Sequence, residues 1–367
     1  MSRRILTVNV GSSSVKVALF DADGAELRRG AAADVTVAGT DAVRRALSDL
    51  SLEAARPAAV VHRIVHGGAD YADPVAVTPA VLNDLRRLRR LAPEHLPPEL
   101  DAVGVIGGLL PGVPQFACFD TAFHRHMPDV ARRYPLPRRF WDAGVQRYGF
   151  HGLSCESIVA ALERLDPAAR SSRVIVAHLG GGSSLTAIQD GRSVDTTMGF
   201  SPAGGVMMGS RSGDLDPGVL LHVIREERLD AGALGHLITR ESGLKGVSGL
   251  GSDMKALLAA EASSSHAAEA IALYCYLARK ALGGLMAALG GLDTLVFTGG
   301  IGEHASSIRA RIVAGLAGLG LEIDSARNDR NDAVISRDEA AATIRVLPSN
   351  EDQVLASHAL ALLSRST

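Results

Sequence analysis

The sequence predicts an α/β protein built from two duplicated domains with a cleft between them, and three observations carry that expectation. The chain has 367 residues, more than a single hydrophobic core ordinarily serves, so it should divide into two domains. A strand–turn–strand pattern that begins at Ile5 begins again at Val174. Over the rest of the chain, strand-like apolar runs alternate with helix-like ones, the signature of α/β layers.

The first copy of the pattern runs from Ile5 to Asp21: an apolar strand, the turn Gly11-Ser12-Ser13-Ser14, a second strand and an Asp-Gly turn. The second copy has the strand Val174 to Ala177, the turn Gly180-Gly181-Gly182-Ser183-Ser184, a second strand and Asp190-Gly191. Self-similarity of this kind points to a duplicated domain, with chance likeness of two glycine-rich hairpins as the alternative. Thr78-Pro79 should open a helix, with Thr78 as its cap and proline in the first turn. Asp216-Pro217 should open another through Leu220, Leu221 and Ile224. Ala267 to Leu289 is long and apolar on most faces, so it should be buried or form a subunit contact. Leu295 to Thr298 reads as a buried strand that Gly299-Gly300-Ile301-Gly302 turns into a helix ending near Gly318. Val346-Leu347-Pro348 leads into Asn350-Glu351-Asp352 and a last apolar helix. No linker is rich in Pro, Gly or Ser, so the domains should sit close together.

Hydrophobic residues make up 47 % of the chain, charged residues 21 %, and the formal net charge is -2. That balance gives no reason to expect a nucleic acid or an anionic membrane as partner. The basic run Asp84 to Arg90 carries Leu85 and Leu88, with Leu91 next at helical spacing, so its arginines should form a solvated helix face. Cys118, Cys155 and Cys275 are far apart and form no CxxC pair, which fits a reducing cytoplasm better than a disulfide framework or a thiolate zinc site. Met1-Ser2-Arg3-Arg4 resembles the start of a signal peptide, but the apolar run from Ile5 to Val10 is too short for one. No apolar stretch approaches the roughly 20 residues of a membrane span.

Three glycine-rich turns follow strands, at Gly11, Gly180 and Gly299. Such turns expose backbone N–H groups to phosphates, and the third opens a helix. None has the GxxxxGK[ST] pattern, which excludes a P-loop enzyme. Polar residues in apolar surroundings add to this. Arg63, in His62-Arg63-Ile64-Val65-His66-Gly67-Gly68 after the strand Ala58 to Val61, could clamp a carboxylate or phosphate, or be a structural ion-pair residue. Asp120 follows the strand Phe116 to Cys118 and could orient a substrate or a metal-bound water, or cap a turn. His151 stands in Arg147-Tyr148-Gly149-Phe150-His151-Gly152, where glycines let a ligand approach. Arg211 sits in Gly209-Ser210-Arg211-Ser212-Gly213-Asp214, poised for an anion, close in sequence to Asp195-Thr196-Thr197-Met198-Gly199-Phe200. Asn9, inside an apolar strand, needs a polar partner such as a hydrated cation. Glu351 also precedes an apolar helix, where a first-turn acid favours the helix dipole.

Taken together, these strings resemble acetate kinase, a family within the sugar kinase, heat-shock chaperone and actin superfamily. The resemblance runs from Val8-Asn9-Val10-Gly11 to Pro348-Ser349-Asn350-Glu351 and includes Met207 to Pro217 and Phe297 to Glu303. It implies two actin-like (ribonuclease H-like) domains. Residues 1–148 and 353–367 would form the carboxylate-binding domain, and residues 149–352 the nucleotide-binding domain with the homodimer contact. It implies reversible transfer from ATP to acetate, giving acetyl phosphate and ADP, by direct in-line attack. Magnesium, replaceable by manganese, would be held by Asn9 and Glu351. Asp120, His151, Arg211 and Arg63 match the catalytic positions. Arg63, Val65, His95, Phe150 and Pro202 match the acid-binding positions. Lys16, His178, Leu179, Gly180, Gly181, Gly182, Asp253, Met254, Lys255, Gly300, Ile301, Gly302, Glu303 and His304 match the nucleotide positions.

The chain departs from the family pattern in several places. Gly181 and His304 stand where the family usually has Asn, and Lys255 where it has Arg. Cys155 ends a string that usually ends in His. Glu94 replaces an apolar residue and Leu96 an Asn, and the stretch from Lys16 to Arg63 is short. These changes leave the catalytic set whole and bear on the choice of acid. A propionate or other short-acyl kinase is the second enzymatic reading. The triple glycine Gly180 to Gly182 is also reminiscent of butyrate kinases. A non-catalytic, nucleotide-gated binding module is the third reading, and the complete set of Asn9, Arg63, Asp120, His151, Arg211 and Glu351 argues against it.

Overall fold

The computed structural model describes residues 4–11, 14–33, 39–48, 50, 56–167 and 172–365. Ser12 and Ser13 of the first glycine-serine turn, and Met1 to Arg3, lie outside the described residues. The chain forms two compact units. Unit 1 comprises residues 1–125, 150–157 and 350–367, and unit 2 comprises residues 126–149 and 158–349.

Unit 1 is built on a six-stranded sheet. Its strands are β1 (Ile5–Val10), β2 (Ser14–Phe20), β3 (Glu26–Ala33), β4 (Ala59–Ile64), β5 (Val75–Ala76) and β6 (Gln115–Phe119), in the order β3-β2-β1-β4-β6-β5. β1, β2 and β3 are an antiparallel meander, while β4 runs parallel to β1 and β6 parallel to β4. Alternation along β1 sets the two faces. Leu6, Val8 and Val10 join Ala42, Val43 and Ala46 of the helix Gly39–Ser48, and Ala102 and Ile106 of the helix Leu96–Leu109, in one core. Ile5, with Phe20 and Val61, packs under Val354, Leu355 and Ala359 of the last helix, Glu351–Arg365. Each fully buried Val, Leu or Ile contributes on the order of 1.5–3 kcal/mol. The helix Pro79–Arg87 is capped by Thr78, whose Oγ1 accepts the Val81 N–H at 3.2 Å. Leu85 is buried beneath it while Arg86, Arg87, Arg89 and Arg90 are exposed, as the charge pattern requires.

Unit 2 repeats the plan. β7 (Arg173–Leu179), β8 (Ser183–Gln189) and β9 (Arg192–Thr196) form the meander, and β10 (Thr294–Thr298) and β11 (Thr343–Val346) add in parallel, giving the order β11-β10-β7-β8-β9. The expected duplicated α/β class is therefore what the chain adopts. The helix Ser265–Leu289 buries Ile271, Tyr274, Cys275, Ala278, Leu282 and Leu285 against this sheet and leaves Leu273 and Tyr276 exposed. One face is thus core and the other open, rather than buried all round.

Two boundaries differ from the sequence reading. The helix expected from Gly299 to near Gly318 is two helices, Gly299–His304 and Ser306–Val313, because Ala305 leaves helical geometry at φ -105° and ψ 80°. β4 extends through His62 and Arg63 instead of ending at Val61. The polar pair is accommodated because alternation sends His62 to Gln115, 2.7 Å from its Oε1, and Arg63 to the other face.

Candidate active site

In unit 1 the ends of β1, β4 and β6 and the start of the last helix bring four of the expected residues together. Arg63, near the end of β4, places Nε 3.1 Å from both carboxylate oxygens of Asp120 and turns Nη2 onto Oδ2 as well. Its Nη1 reaches Asn9 Oδ1 at 3.3 Å. Asn9 Nδ2 donates to Glu351 Oε2 at 3.1 Å, and that oxygen lies 3.9 Å from Arg63 Nε. Glu351 comes to this place because the second residue of its helix, Asp352, is held by Thr7 Oγ1 at 3.2 Å and by Arg29 Nη1 at 2.7 Å.

Asp120 is wholly buried and the Arg63 side chain is 12 % exposed. Burial pushes the Asp120 carboxyl up, while the charge and hydrogen bonds of Arg63 and the backbone N–H of His151 oppose it. Burial also works against the Arg63 charge, but Asp120 and Glu351 outweigh it and hold the guanidinium protonated. Arg63 is thus a fixed guanidinium with one dedicated counter-ion and a second carboxylate close by.

His151 has φ 58°, a left-handed conformation that few non-glycine residues adopt. The twist is what aims its amide at Asp120, and the next residue must be glycine. A Cβ on Gly152 would lie 2.2 Å from the Asp120 carbonyl oxygen, which instead accepts the Gly152 N–H at 2.9 Å. Phe150 is buried edge-on to His66, ring centres 5.5 Å apart, and its carbonyl lies 2.9 Å from His124 Nε2. Burial lowers His124 to about 4, so the ring is neutral and donates through Nε2. Val65 is buried directly after β4, and His95 is half-buried at the start of the helix Leu96–Leu109. Lys16 is exposed on β2 and paired in register with Asn9.

Unit 2 holds a cavity of about 780 Å³ lined by Gly180, Gly181, Ser252, Asp253, Met254, Lys255, Leu258, Gly300, Ile301, His304 and Ala305. Eight of these were expected from the sequence. Ser252, Leu258 and Ala305 were not. Leu258 lies one helical turn beyond Met254 and could have been found by periodicity, whereas Ser252 and Ala305 carry no local signal. His178 and Leu179 end β7 just before the glycine turn, and Gly182 lies within the turn. Ser183 supports that turn: its Oγ donates to Gly180 O at 3.2 Å, accepts the Gly180 N–H at 3.3 Å, and lies 2.9 Å from the buried Tyr274 hydroxyl. Glu303 folds back so that Oε1 accepts the Gly299 N–H at 3.0 Å. Gly302 is buried, and its carbonyl accepts from Arg309 Nη1 at 2.9 Å. Arg309 is itself fully buried and gives every donor to a neutral oxygen, those of Gly302, Glu303, Asn328 and Asn331. It welds the cavity-lining helix Gly299–His304 to the segment beneath it.

Arg211 also lies in unit 2, half-buried, with Nη1 2.9 Å from the carbonyl of buried Pro202. Its loop is tied to the next segment by Ser210 Oγ on Thr239 O at 3.0 Å and by the Ser212 N–H on Ile238 O at 2.9 Å. Asp195 is half-buried on β9. Arg147 Nη1 meets the carbonyls of Thr196, Thr197 and Met198 within 3.1 Å, which sets the path to Phe200.

Two sheets of one duplicated plan make this chain an actin-like kinase by fold. More particularly, the chain belongs to the acetokinase family, whose model matches residues 38–357. It is 42 % identical over 405 residues to the acetate kinase of Methylocella silvestris, covering 100 % of this chain and 99 % of that one. The crystal structure of Porphyromonas gingivalis acetate kinase superposes with a TM-score of 0.87 at 36 % identity, over 98 % of this chain and 100 % of that one. A propionate kinase from Francisella tularensis gives a TM-score of 0.90 at 31 % identity, over 97 % and 98 %. The chain is thus an enzyme of the acetate kinase type, a phosphotransferase that uses ATP and a carboxylate acceptor, rather than a binding module without catalysis.

Proposed function

We propose that this enzyme transfers the γ-phosphoryl group of ATP reversibly and directly to acetate, giving acetyl phosphate and ADP. The carrying observation is the buried Arg63–Asp120 pair bound to Asn9 and Glu351. Unit 1 supplies the carboxylate site, with Arg63 meeting the acid, Val65 and Phe150 serving its methyl group and His95 in support. Unit 2 supplies the nucleotide site, the cavity between the Gly180 and Gly300 turns and Lys255. Lys16 meets the phosphates, and Asp120 orients the acceptor oxygen. His151 and Arg211 take up charge on the transferring group, which carries most of the developing change in an in-line transfer.

The donors present fit magnesium. Asn9 Oδ1 and Glu351 Oε2 are hard oxygens of the kind that ion prefers, and a magnesium ion keeps most of its waters and leans on substrate phosphates. When bound, the ion would neutralise phosphate charge. Manganese has the same ligand chemistry.

Coupled ADP release with acetate and propionate in parallel tests this reading. Acetate is expected to be the better substrate, and equal inertness of both acids would end it. The propionate alternative is supported by the likeness to the solved propionate kinase. Glu94 bears on the choice, being half-buried one residue before His95. If it lines the acid pocket, Glu94→Leu should raise the acetate-to-glycolate ratio of kcat/KM, because removing water from a carboxylate beside a methyl group is unfavourable. An unchanged ratio would show that Glu94 points elsewhere.

We further propose a homodimer formed through unit 2, where Val219 and Leu221 on the helix Pro217–Glu227 and Leu273 and Tyr276 on the helix Ser265–Leu289 are exposed apolar residues. Light scattering should give twice the chain mass, and a monomer at micromolar concentration would contradict it. A cytoplasmic location is supported by Cys118, Cys155 and Cys275, which are buried and form no disulfide among the described residues. No helix among the described residues is long and apolar enough to cross a membrane.

A further inference from the structure

Glu99 lies in the first turn of the helix Leu96–Leu109 and is 1 % exposed. Its Oε2 accepts the backbone N–H of Val65 at 2.9 Å. Its Oε1 is fully enclosed and has no hydrogen-bond partner among the described residues. An ionised carboxylate so placed would carry the full penalty of an unpaired buried charge, whereas a protonated one needs only its carbonyl oxygen satisfied.

The contact falls at a particular point of the backbone. The parallel ladder between β4 and β6 ends at Ile64 and Phe119, and the Asp120 N–H closes it on Ile64 O at 3.0 Å. The next amide of that strand end, Val65 N–H, goes to Glu99 instead. The segment Arg63–Val65 is therefore held from one side by Asp120 and from the other by Glu99. Two of the expected acid-binding residues, Arg63 and Val65, sit on it.

We propose that Glu99 is a positioning residue for the carboxylate subsite: as a neutral carboxylic acid it fixes the Val65 amide, and with it the strand end that presents Arg63 and Val65. The idea rests on the reading of Arg63 and Val65 as acid-binding residues. The charge balance around Arg63 agrees with it. Asp120 and Glu351 already face this guanidinium. A third carboxylate would over-compensate it and repel an incoming acid. The charged groups that act on Glu99 are Arg63 from β4, which favours ionisation, and Asp120 after β6, which disfavours it. Glu94 and His95 stand just upstream on the same chain segment, and among the described residues Glu99 takes its hydrogen bond from the Val65 amide. Burial, the largest influence, pushes the Glu99 carboxyl up to about 8.

The test compares wild type, Glu99→Gln and Glu99→Leu, measuring KM for acetate and for ATP across neutral and alkaline pH. Glutamine keeps the carbonyl acceptor and has no proton to lose, so acetate KM should stay within about twofold of wild type at neutral pH. In the wild type, acetate KM should climb as pH passes about 8, and in the glutamine variant that limb should be gone. Glu99→Leu should raise acetate KM by about tenfold and leave ATP KM alone. Melting temperature gives a second readout that does not depend on turnover. The folded chain keeps a proton on Glu99 that the unfolded chain sheds in the ordinary carboxylate range. Wild type should therefore lose melting temperature relative to Glu99→Gln as pH rises from that range to about 8. A glutamine variant as impaired as the leucine one, or wild-type and glutamine profiles that run parallel in pH, would overturn the proposal. If wild type fails to turn over acetate, the functional reading falls, and the melting comparison alone decides the state of Glu99.

Discussion

Arg211→Ala should lower kcat by about 10²–10³-fold while changing KM for acetate and ATP little, as expected for a donor that meets charge developing only during transfer. The structure makes the substitution a clean one. The loop that carries Arg211 is tied down by main-chain and serine bonds, from Ser210 to Thr239 and from Ser212 to Ile238, none of which involves the guanidinium. What is lost includes the contact of Nη1 with the Pro202 carbonyl and the positive charge that meets an anion. Stability should stay near wild type, since Arg211 is half-buried and the bonds that hold its loop do not involve the guanidinium. Steady-state kinetics with a melting curve separate the two effects. Wild-type turnover in this variant would remove Arg211 from the mechanism.

Arg63→Ala should act differently, on the acid and on the fold together. Arg63 is the hub of the cluster and the counter-ion of a carboxylate with no exposure at all. Its removal leaves Asp120 as an uncompensated buried charge, a loss typically on the order of 3–5 kcal/mol when a buried pair is broken. Without the opposing charge of Arg63, burial would push the Asp120 carboxyl further up. Acetate KM should rise by at least about tenfold, ATP KM should hold, and the melting temperature should fall. Arg63→Lys should recover part of the stability but little of the acid binding, since a point charge cannot reproduce the two-edged grip on a carboxylate. An Arg63→Ala variant with unchanged acetate KM would place the acid elsewhere.

Much of this architecture was legible in the sequence because the hairpin pattern is local. Ile5 to Phe20 and Arg173 to Gln189 each alternate around a small-residue turn, and the structure shows two sheets of one order. The boundaries that escaped notice were set by tertiary context. His62 and Arg63 look like the end of an apolar run, yet the sheet keeps them in strand because each finds a buried polar partner across β6. Nothing local in Gly302 to Ser306 announces the break at Ala305.

The site was legible where a polar residue stood alone in apolar surroundings, as with Asn9, Arg63 and Asp120. It was illegible where a charged residue sits in a segment that reads as an ordinary helix face. Glu99 in Pro97-Pro98-Glu99-Leu100 and Arg309 in Ile308-Arg309-Ala310-Arg311 look solvated, yet both are fully buried. Their burial is decided by the Val65 amide and by the carbonyls of Gly302 and Glu303, groups that belong to other parts of the chain.

The most direct measurement is to trap the product. Purified enzyme given ATP, magnesium and acetate, with hydroxylamine present, should accumulate acetyl hydroxamate in step with ADP, because direct transfer to the carboxylate makes an acyl phosphate that hydroxylamine intercepts. ADP without hydroxamate, or no turnover with acetate, propionate or butyrate, would contradict phosphoryl transfer to a short-chain acid by this protein.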